Sequence, residues 1–403
     1  MFRYQSAYEL QVQIDDVYAC LGNCPGCVLS SLERATQQPD MDSETLDLAL
    51  ARIAEYIPHL DGLNKMNITY AIADHLLMPE GYVETIYAKA VQMMRAAGLD
   101  LPDCQVAFTT SLVGKHDAVL ARLQTLAHTL DQVPLLPIVV LDPAKLYAKK
   151  FGDRYKDLIA QTKILFGQVD LAINLSDDAV QRISPQEFHD FAAVHQFGEV
   201  VINWTPTPDN MAYTAANMAL LADWLIALDR IIRAENRISA NYRDVMKGAI
   251  YSQLQQTPDL QQTTFAKVVQ QDLEEVIRKS FEIDHHGHLY AKFDAIGDVP
   301  QSDRFGFKGY GDLKSASIQA LLGAGDAQTK ARIMRAYGQS VACQSCDVGA
   351  LCAAVGGFHI YNHVLRKNST EEGTCPHIAK PVLEYFLDIM AQDNELPEIA
   401  MAG

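Results

Sequence analysis

Three cysteines stand close together near the start of the chain, in the run Cys20-Leu-Gly-Asn-Cys24-Pro-Gly-Cys27. This C-x3-C-x2-C spacing brings three thiolates within reach of one metal centre, enough to ligate three irons of a cubane 4Fe-4S cluster. The fourth iron is then left without a protein ligand, and an open position on a metal centre is where a substrate binds and is activated. Gly22 and Gly26 suit a tight loop wrapped around such a cluster. A zinc loop or a set of buried thiols is the alternative use of the same side chains.

A second group lies in the last quarter of the chain. Cys343, Cys346 and Cys352 form C-x2-C-x5-C, and Cys375 follows after 22 further residues. Four thiolates complete the ligand set of one closed iron–sulfur cluster, or equally of a structural Zn(Cys)4 site. Cys104 is left over and reads as a small buried hydrophobe.

A length of 403 residues allows two or three domains, or one large barrel with an appendix. Apolar residues make up 49% of the chain, enough for a sizeable core. The formal net charge of −17, with no basic stripe, argues against a nucleic-acid surface or an anionic-membrane surface. The opening run MFRYQSAYELQVQ lacks the apolar stretch of a signal peptide, and no run of 18 apolar residues exists. The expectation is a cytoplasmic protein with no membrane span, in which eight cysteines serve metal binding or catalysis rather than disulfides.

The elements that must position these thiols follow from periodicity. Tyr8 to Ile14 alternates apolar and polar residues, predicting a strand that ends just before Cys20. Runs rich in branched residues predict further strands at Asn67–Ile72, Gln105–Thr110, Pro137–Leu141, Val169–Leu175 and Glu199–Trp204. Helix-period segments fall near 44–58, 80–97, 115–129, 145–166 and 184–196, the last opened by Ser184 as N-cap and Pro185 at the first helical position. Such alternation predicts an α/β fold with a parallel sheet, and six units close naturally as a partial (βα)6 barrel of the TIM type. Beyond the turn at Thr205–Asn210, helices are expected over 211–240 and 263–280, a hairpin over Phe281–Phe293 turning at Asp284–His288, and a final helix near 379–391. His285, His286 and His288 cluster at the hairpin tip, as a polar turn or as metal ligands. The expected division is a barrel over 1–235, a helical linker over 236–280 and a small α+β domain over 281–403.

On these residues the chain resembles the radical S-adenosylmethionine (SAM) superfamily, whose three-cysteine loop follows the first barrel strand. The resemblance implies that Cys20, Cys24 and Cys27 hold a catalytic 4Fe-4S cluster whose open iron chelates SAM. The family's Gly-Gly-Glu-Pro turn after the second strand corresponds here to Ile72-Ala73-Asp74-His75-Leu76-Leu77-Met78-Pro79. Asp74 stands where the family has Glu, Ala73 replaces a glycine, and both are implied SAM-binding positions. Arg154, in Arg154-Tyr-Lys-Asp, resembles the arginine that meets the SAM carboxylate, a contact suited to a guanidinium. Asn174 and Ser176 end the fifth strand, where ribose contacts lie, and serve equally as turn formers. Gly26 replaces the aromatic residue that usually packs on adenine, leaving Tyr18 as the stacking candidate.

The second cysteine group resembles the SPASM extension of peptide- and protein-modifying members of this superfamily. Cys343, Cys346, Cys352 and Cys375 occupy its outer auxiliary-cluster positions, implying a second 4Fe-4S cluster. Three further cysteines of a full extension are absent: Gly356 stands at one position, the hairpin at 284–292 carries no thiol, and 293–342 offers none. The resemblance thus implies an outer cluster without an inner one.

The implied activity is reductive cleavage of SAM to a 5′-deoxyadenosyl radical that removes a hydrogen from a peptide or protein side chain. Flavodoxin or ferredoxin is the kind of electron donor implied. The barrel strand is expected at the very start of the sequence with no recognition domain before it, which leaves a small-molecule substrate open. Asn203, Asp209 and Asn210 close the sixth strand as candidate substrate contacts. The rival classes are an iron–sulfur electron-transfer protein and a zinc-stabilised binding scaffold.

Overall fold

A computed structural model of the chain describes residues 9–22, 33–35, 38–129, 132–147, 151–203, 215–256, 279–291, 309–339, 346–354 and 379–395. The branched runs form strands β1 (Glu9–Val17), β2 (Lys65–Ile72), β3 (Gln105–Thr110), β4 (Leu135–Leu141), β5 (Asp170–Asn174) and β6 (Val200–Asn203). They lie side by side in chain order, each pair parallel. Between them run α1 (Ser43–Tyr56), α2 (Tyr82–Ala96), α3 (His116–Ala127), α4 (Pro143–Tyr147), α5 (Phe151–Phe166), α6 (Asp177–Arg182) and α7 (Pro185–His195), and α8 (Ala215–Glu235) follows β6.

The two faces of this sheet differ chemically. Leu10, Val12 and Ile14 of β1, Ile68 and Tyr70 of β2, and Val106 and Phe108 of β3 join Leu46, Ile53, Val83, Ile86, Leu123 and Ile159 of the helices in one continuous core. On the alternate positions, Ala107, Leu136, Ile138, Ala172 and Val201 form a separate small cluster made of strand residues. Among the described residues the helices therefore cover the outer face, and the inner face curls on itself, as in a partial barrel. Each large aliphatic side chain buried this way contributes about 1.5–3 kcal/mol.

Local signals hold where the chemistry is explicit. Ser184 caps α7 through a capping box with Glu187, and Pro185 follows it. The predicted hairpin forms from β7 (Ser280–Ile283) and β8 (His288–Ala291), with Asp284 accepting from the backbone of His286 at 2.8 Å and His288 at 2.9 Å in an Asx-type turn. β7 lies parallel to β1, so the hairpin extends the barrel sheet, which ends with β9 (Gly311–Asp312).

Other boundaries differ from expectation. The helix expected over 145–166 is two pieces, α4 and α5. The helix expected over 211–240 ends at Glu235, where Asn236 turns the backbone at φ 50°, a conformation asparagine tolerates. The chain then returns to bridge Ala240 to Val200 of β6. A helix, α9 (Asn241–Gln256), follows within the segment expected as a helical linker over 236–280, with Asn241 Oδ1 accepting from Ile202 N at 3.1 Å. The helix expected over 263–280 lies mostly outside the described residues, and Ser280 is already strand. Helices at Ile318–Gln339, Gly349–Ala354 and Ala379–Gln392 complete the described chain. Among the described residues no helix is long and apolar enough to cross a membrane.

Candidate active site

Cys20 lies three residues beyond β1, at the end of the sheet where the parallel strands finish and where barrel enzymes place their chemistry. Its Sγ accepts from Gly22 N at 3.1 Å. Its own N–H donates to Arg34 O at 3.2 Å, and the Arg34 guanidinium donates to Gly22 O. The two described ends of the loop, Gly22 and Arg34, are therefore pinned together. Cys24, Gly26 and Cys27 belong to the loop between them and lie outside the described residues.

This loop is coupled to the end of β2. Ala19 O accepts from Asp74 N at 2.9 Å. The Asp74 carboxylate is buried and takes four hydrogen bonds: Oδ1 accepts from Thr110 Oγ1 at 2.8 Å and Leu76 N at 3.2 Å, and Oδ2 accepts from Ser111 N at 3.1 Å and from Ser111 Oγ. Ala73 O accepts from Thr109 Oγ1 at 2.6 Å. Both positions thus stand beside the cysteine loop, and the carboxylate is spent on holding the ends of β2 and β3 together.

Next to Asp74 lies a network that spacing alone does not reveal. His75 is fully buried; its Nε2 meets Asp16 Oδ1 at 2.9 Å and its Nδ1 meets Thr109 O at 3.1 Å. Both partners are acceptors, so both ring nitrogens donate and the ring is an imidazolium. Burial disfavours that charge, but the Asp16 charge and hydrogen bond outweigh it and hold the His75 pKa above its ordinary value. Tyr82 donates to the other Asp16 oxygen at 2.6 Å. A register shift between Asp15 and Val17 is what re-aims Asp16 out of the strand's alternation. The signal in the sequence is the pair Asp15-Asp16, two adjacent acids at the end of an otherwise alternating strand.

The barrel's inner face carries a polar wall. Glu9, Gln11 and Asp15 of β1, Asn67 of β2 and Glu282 of β7 are all buried there. Gln13 Nε2 donates to Asp15 Oδ1 at 3.0 Å and to Glu282 Oε1 at 2.7 Å. Burial raises the Asp15 pKa to about 7, opposed by bonds to Glu282 and Gln13 and aided by the charges of Asp284 and Asp16. The opposite wall, Ala107, Leu136, Ile138, Ala172 and Val201, is apolar. Such a lumen suits a substrate with one polar and one apolar side.

The hairpin tip reaches the same mouth. His285 Nδ1 lies 2.9 Å from Tyr18 OH, and the two rings pack edge to face at 4.9 Å. Burial, and then the neighbouring His286, push the His285 pKa down to about 4, so at neutral pH its ring is uncharged. Tyr18 is almost fully buried, its ring engaged by His285. His288 pairs with Asp284 at 3.2 Å, and its backbone bond belongs to the turn.

The remaining predicted residues lie on other elements. Arg154 is exposed on the first turn of α5, lining a cleft of about 730 Å³ with Lys115, His116, Asp117, Asp153 and Asp157. Asn174 ends β5 opposite Asn203 of β6. Ser176 is buried and caps α6, accepting from Ala179 N at 3.1 Å. Cys346 precedes the Gly349–Ala354 helix and Cys352 is buried within it, while Cys343, Cys375, Gly356, Asp209 and Asn210 lie outside the described residues. Burial pushes the Cys346 thiol pKa up. Cys104 is buried, as expected of a small hydrophobe.

Among the described residues, six parallel strands in chain order, helices on one face and Cys20 just beyond the end of the first strand make a partial barrel. The solved structure of hexahistidine-tagged anSMEcpe with bound AdoMet, an anaerobic sulfatase-maturating enzyme, superposes with a TM-score of 0.61 at 11% identity, covering 98% of this chain and 97% of that one. Native anSMEcpe with bound AdoMet and the Cp18Cys peptide gives 0.59 at 9% identity, covering 96% and 97%. Streptococcus suis SuiB gives 0.47 at 12% identity, covering 86% and 72%. No family model matches the sequence, and no curated protein matches it. At such identities the likeness is one of fold.

Proposed function

We propose that this chain is a radical SAM enzyme that modifies a peptide or protein side chain. The observation that carries this reading is the placement of Cys20 on a pinned loop at the strand-end mouth of a partial barrel, with Gly22 N–H on its sulfur. An N–H···S contact of this kind stabilises a thiolate and tunes a cluster it ligates, so the described part of the loop fits the group. Cys20, Cys24 and Cys27 would hold the catalytic 4Fe-4S cluster, and Cys343, Cys346, Cys352 and Cys375 an auxiliary one. When bound, the catalytic cluster supplies one-electron reductive cleavage of SAM, which initiates hydrogen abstraction from substrate.

The chain's own residues do the rest. Asp74 and Ala73 hold the β2 turn against the cysteine loop, and the His75–Asp16–Tyr82 network stiffens that turn from beneath. Arg154, Asn174 and Ser176 are assigned to SAM by resemblance; of these, Ser176 also caps α6. The polar and apolar walls of the inner face receive the substrate and limit water around it. The peptide reading is supported by anSMEcpe, whose fold this chain shares and which is solved with a bound peptide. A low-potential donor such as flavodoxin or ferredoxin would supply the electron.

Anaerobic reconstitution followed by an assay for 5′-deoxyadenosine tests the proposal. Wild type should bind about eight irons and cleave SAM. Cys24→Ala should keep about four irons at the C-terminal site and lose cleavage. Cleavage that survives Cys24→Ala would refute the assignment of the loop, and zinc in place of iron at both groups would favour a binding scaffold.

A further inference from the structure

Outside the barrel, on the helical layer, His189 of α7 is fully buried and neither ring nitrogen has a hydrogen-bond partner. Buried polar groups nearly always have one. The His189 Nδ1 atom is aimed between two carboxylates, 3.5 Å from Asp190 Oδ1 and 3.6 Å from Glu235 Oε2. Both separations are too long for good hydrogen bonds and nearly equal. They match the ligand–ligand spacing around a tetrahedral cation, roughly 3.3–3.6 Å for bonds of about 2.0–2.2 Å.

The surroundings orient the carboxylates. Gln186 Nε2 donates to Asp190 Oδ1 and to Glu235 Oε1, 3.1 Å each, holding both acids from one side, as outer partners of metal ligands do. We propose that His189 Nδ1, Asp190 and Glu235 bind a divalent transition-metal ion. One imidazole and two carboxylates form a mixed nitrogen–oxygen set suited to Zn2+ or Mn2+. The ion would clamp α7 to the last residue of α8, the point where Asn236 turns the chain toward β6. None of the cysteines takes part, so this site stands or falls independently of the SAM chemistry.

Arg237 is the competing cation. Its NH1 lies 3.3 Å from Glu235 Oε2 and 3.7 Å from Asp190 Oδ1, and the half-exposed side chain can swing into solvent. The metal must displace it, so removing Arg237 should tighten binding.

Titration of the EDTA-treated full chain with Mn2+, followed by electron paramagnetic resonance, tests this. Mn2+ is chosen because thiolates do not favour it. One ion per chain with histidine-nitrogen coupling is expected. Glu235→Gln should weaken binding at least tenfold, His189→Ala should remove the nitrogen coupling, and Arg237→Ala should tighten binding severalfold. The proposal is overturned if wild type binds no Mn2+ at millimolar concentration, if Glu235→Gln binds as wild type does, or if Arg237→Ala binds more weakly. Should His189→Ala not fold, Glu235→Gln decides alone, since that side chain is one-third exposed.

Discussion

The backbone N–H of Asp74 donates to the carbonyl of Ala19 at 2.9 Å, so the residue before Cys20 is tied directly to the end of β2. Asp74 can hold that position because Thr110, Ser111 and Leu76 occupy its carboxylate. Asp74→Asn would turn one acceptor oxygen into a donor facing other donors. The expected loss is about 2–4 kcal/mol of stability, read as a lowered midpoint in urea or heat. An unchanged midpoint together with weaker SAM binding would instead mean that the carboxylate is spent on the ligand.

Arg34 is the second fastening of the cysteine loop, through its backbone to Cys20 and its guanidinium to Gly22. Arg34→Ala keeps the backbone bond and removes the side-chain one. On the proposed reading, a cluster held by this loop should still assemble but be lost several times faster under air or chelator, with global stability lowered by only about 1 kcal/mol. Absorbance at the cluster band over time checks this, and a decay rate equal to wild type would show that the contact does not brace the loop.

His75 supplies a pH dependence of definite sign. Its folded pKa is raised, so the His75–Asp16 pair contributes fully below the ordinary histidine pKa and is lost as pH rises through the folded value. His75→Ala leaves Asp16 buried without its cation and should cost about 3–5 kcal/mol near pH ~6. The gap from wild type should shrink above the raised pKa. Denaturant unfolding at several pH values measures it; a gap that widens with pH would refute the imidazolium assignment.

The strands are legible in the sequence because their chemistry is local: branched runs, alternation, Ser184 before Pro185, and a turn built on Asp284. The thiol groups stand out in the sequence because C-x3-C-x2-C and C-x2-C are spacings that metal ligands use. What stays hidden depends on distant partners. Asp16 and His75 are 59 residues apart and meet only because the strand shifts register at the end of β1. Glu235 and Gln186 meet across 49 residues of chain, and nothing local to either marks the contact. The bounds of α9, within the expected helical linker, escape a reading by periodicity because its sequence carries only a weak amphipathic pattern, and packing beside β6 decides its place.

Asp15 offers the last test, and it concerns the barrel interior. Its folded pKa of about 7, against an ordinary 3.8, means the folded state keeps a proton that the unfolded chain releases. Stability from this group is therefore greatest below about pH 4 and falls as pH rises toward 7, by at most about 4 kcal/mol at ~1.4 kcal/mol per pH unit. Asp15→Asn mimics the protonated form and can still accept from Gln13. It should match wild type near pH ~4 and become more stable than wild type by about pH 8, with the difference set by how far Glu282 shares the charge. If the two proteins keep a constant difference across that range, Asp15 is ionised throughout and the inner wall is wetter than its burial implies.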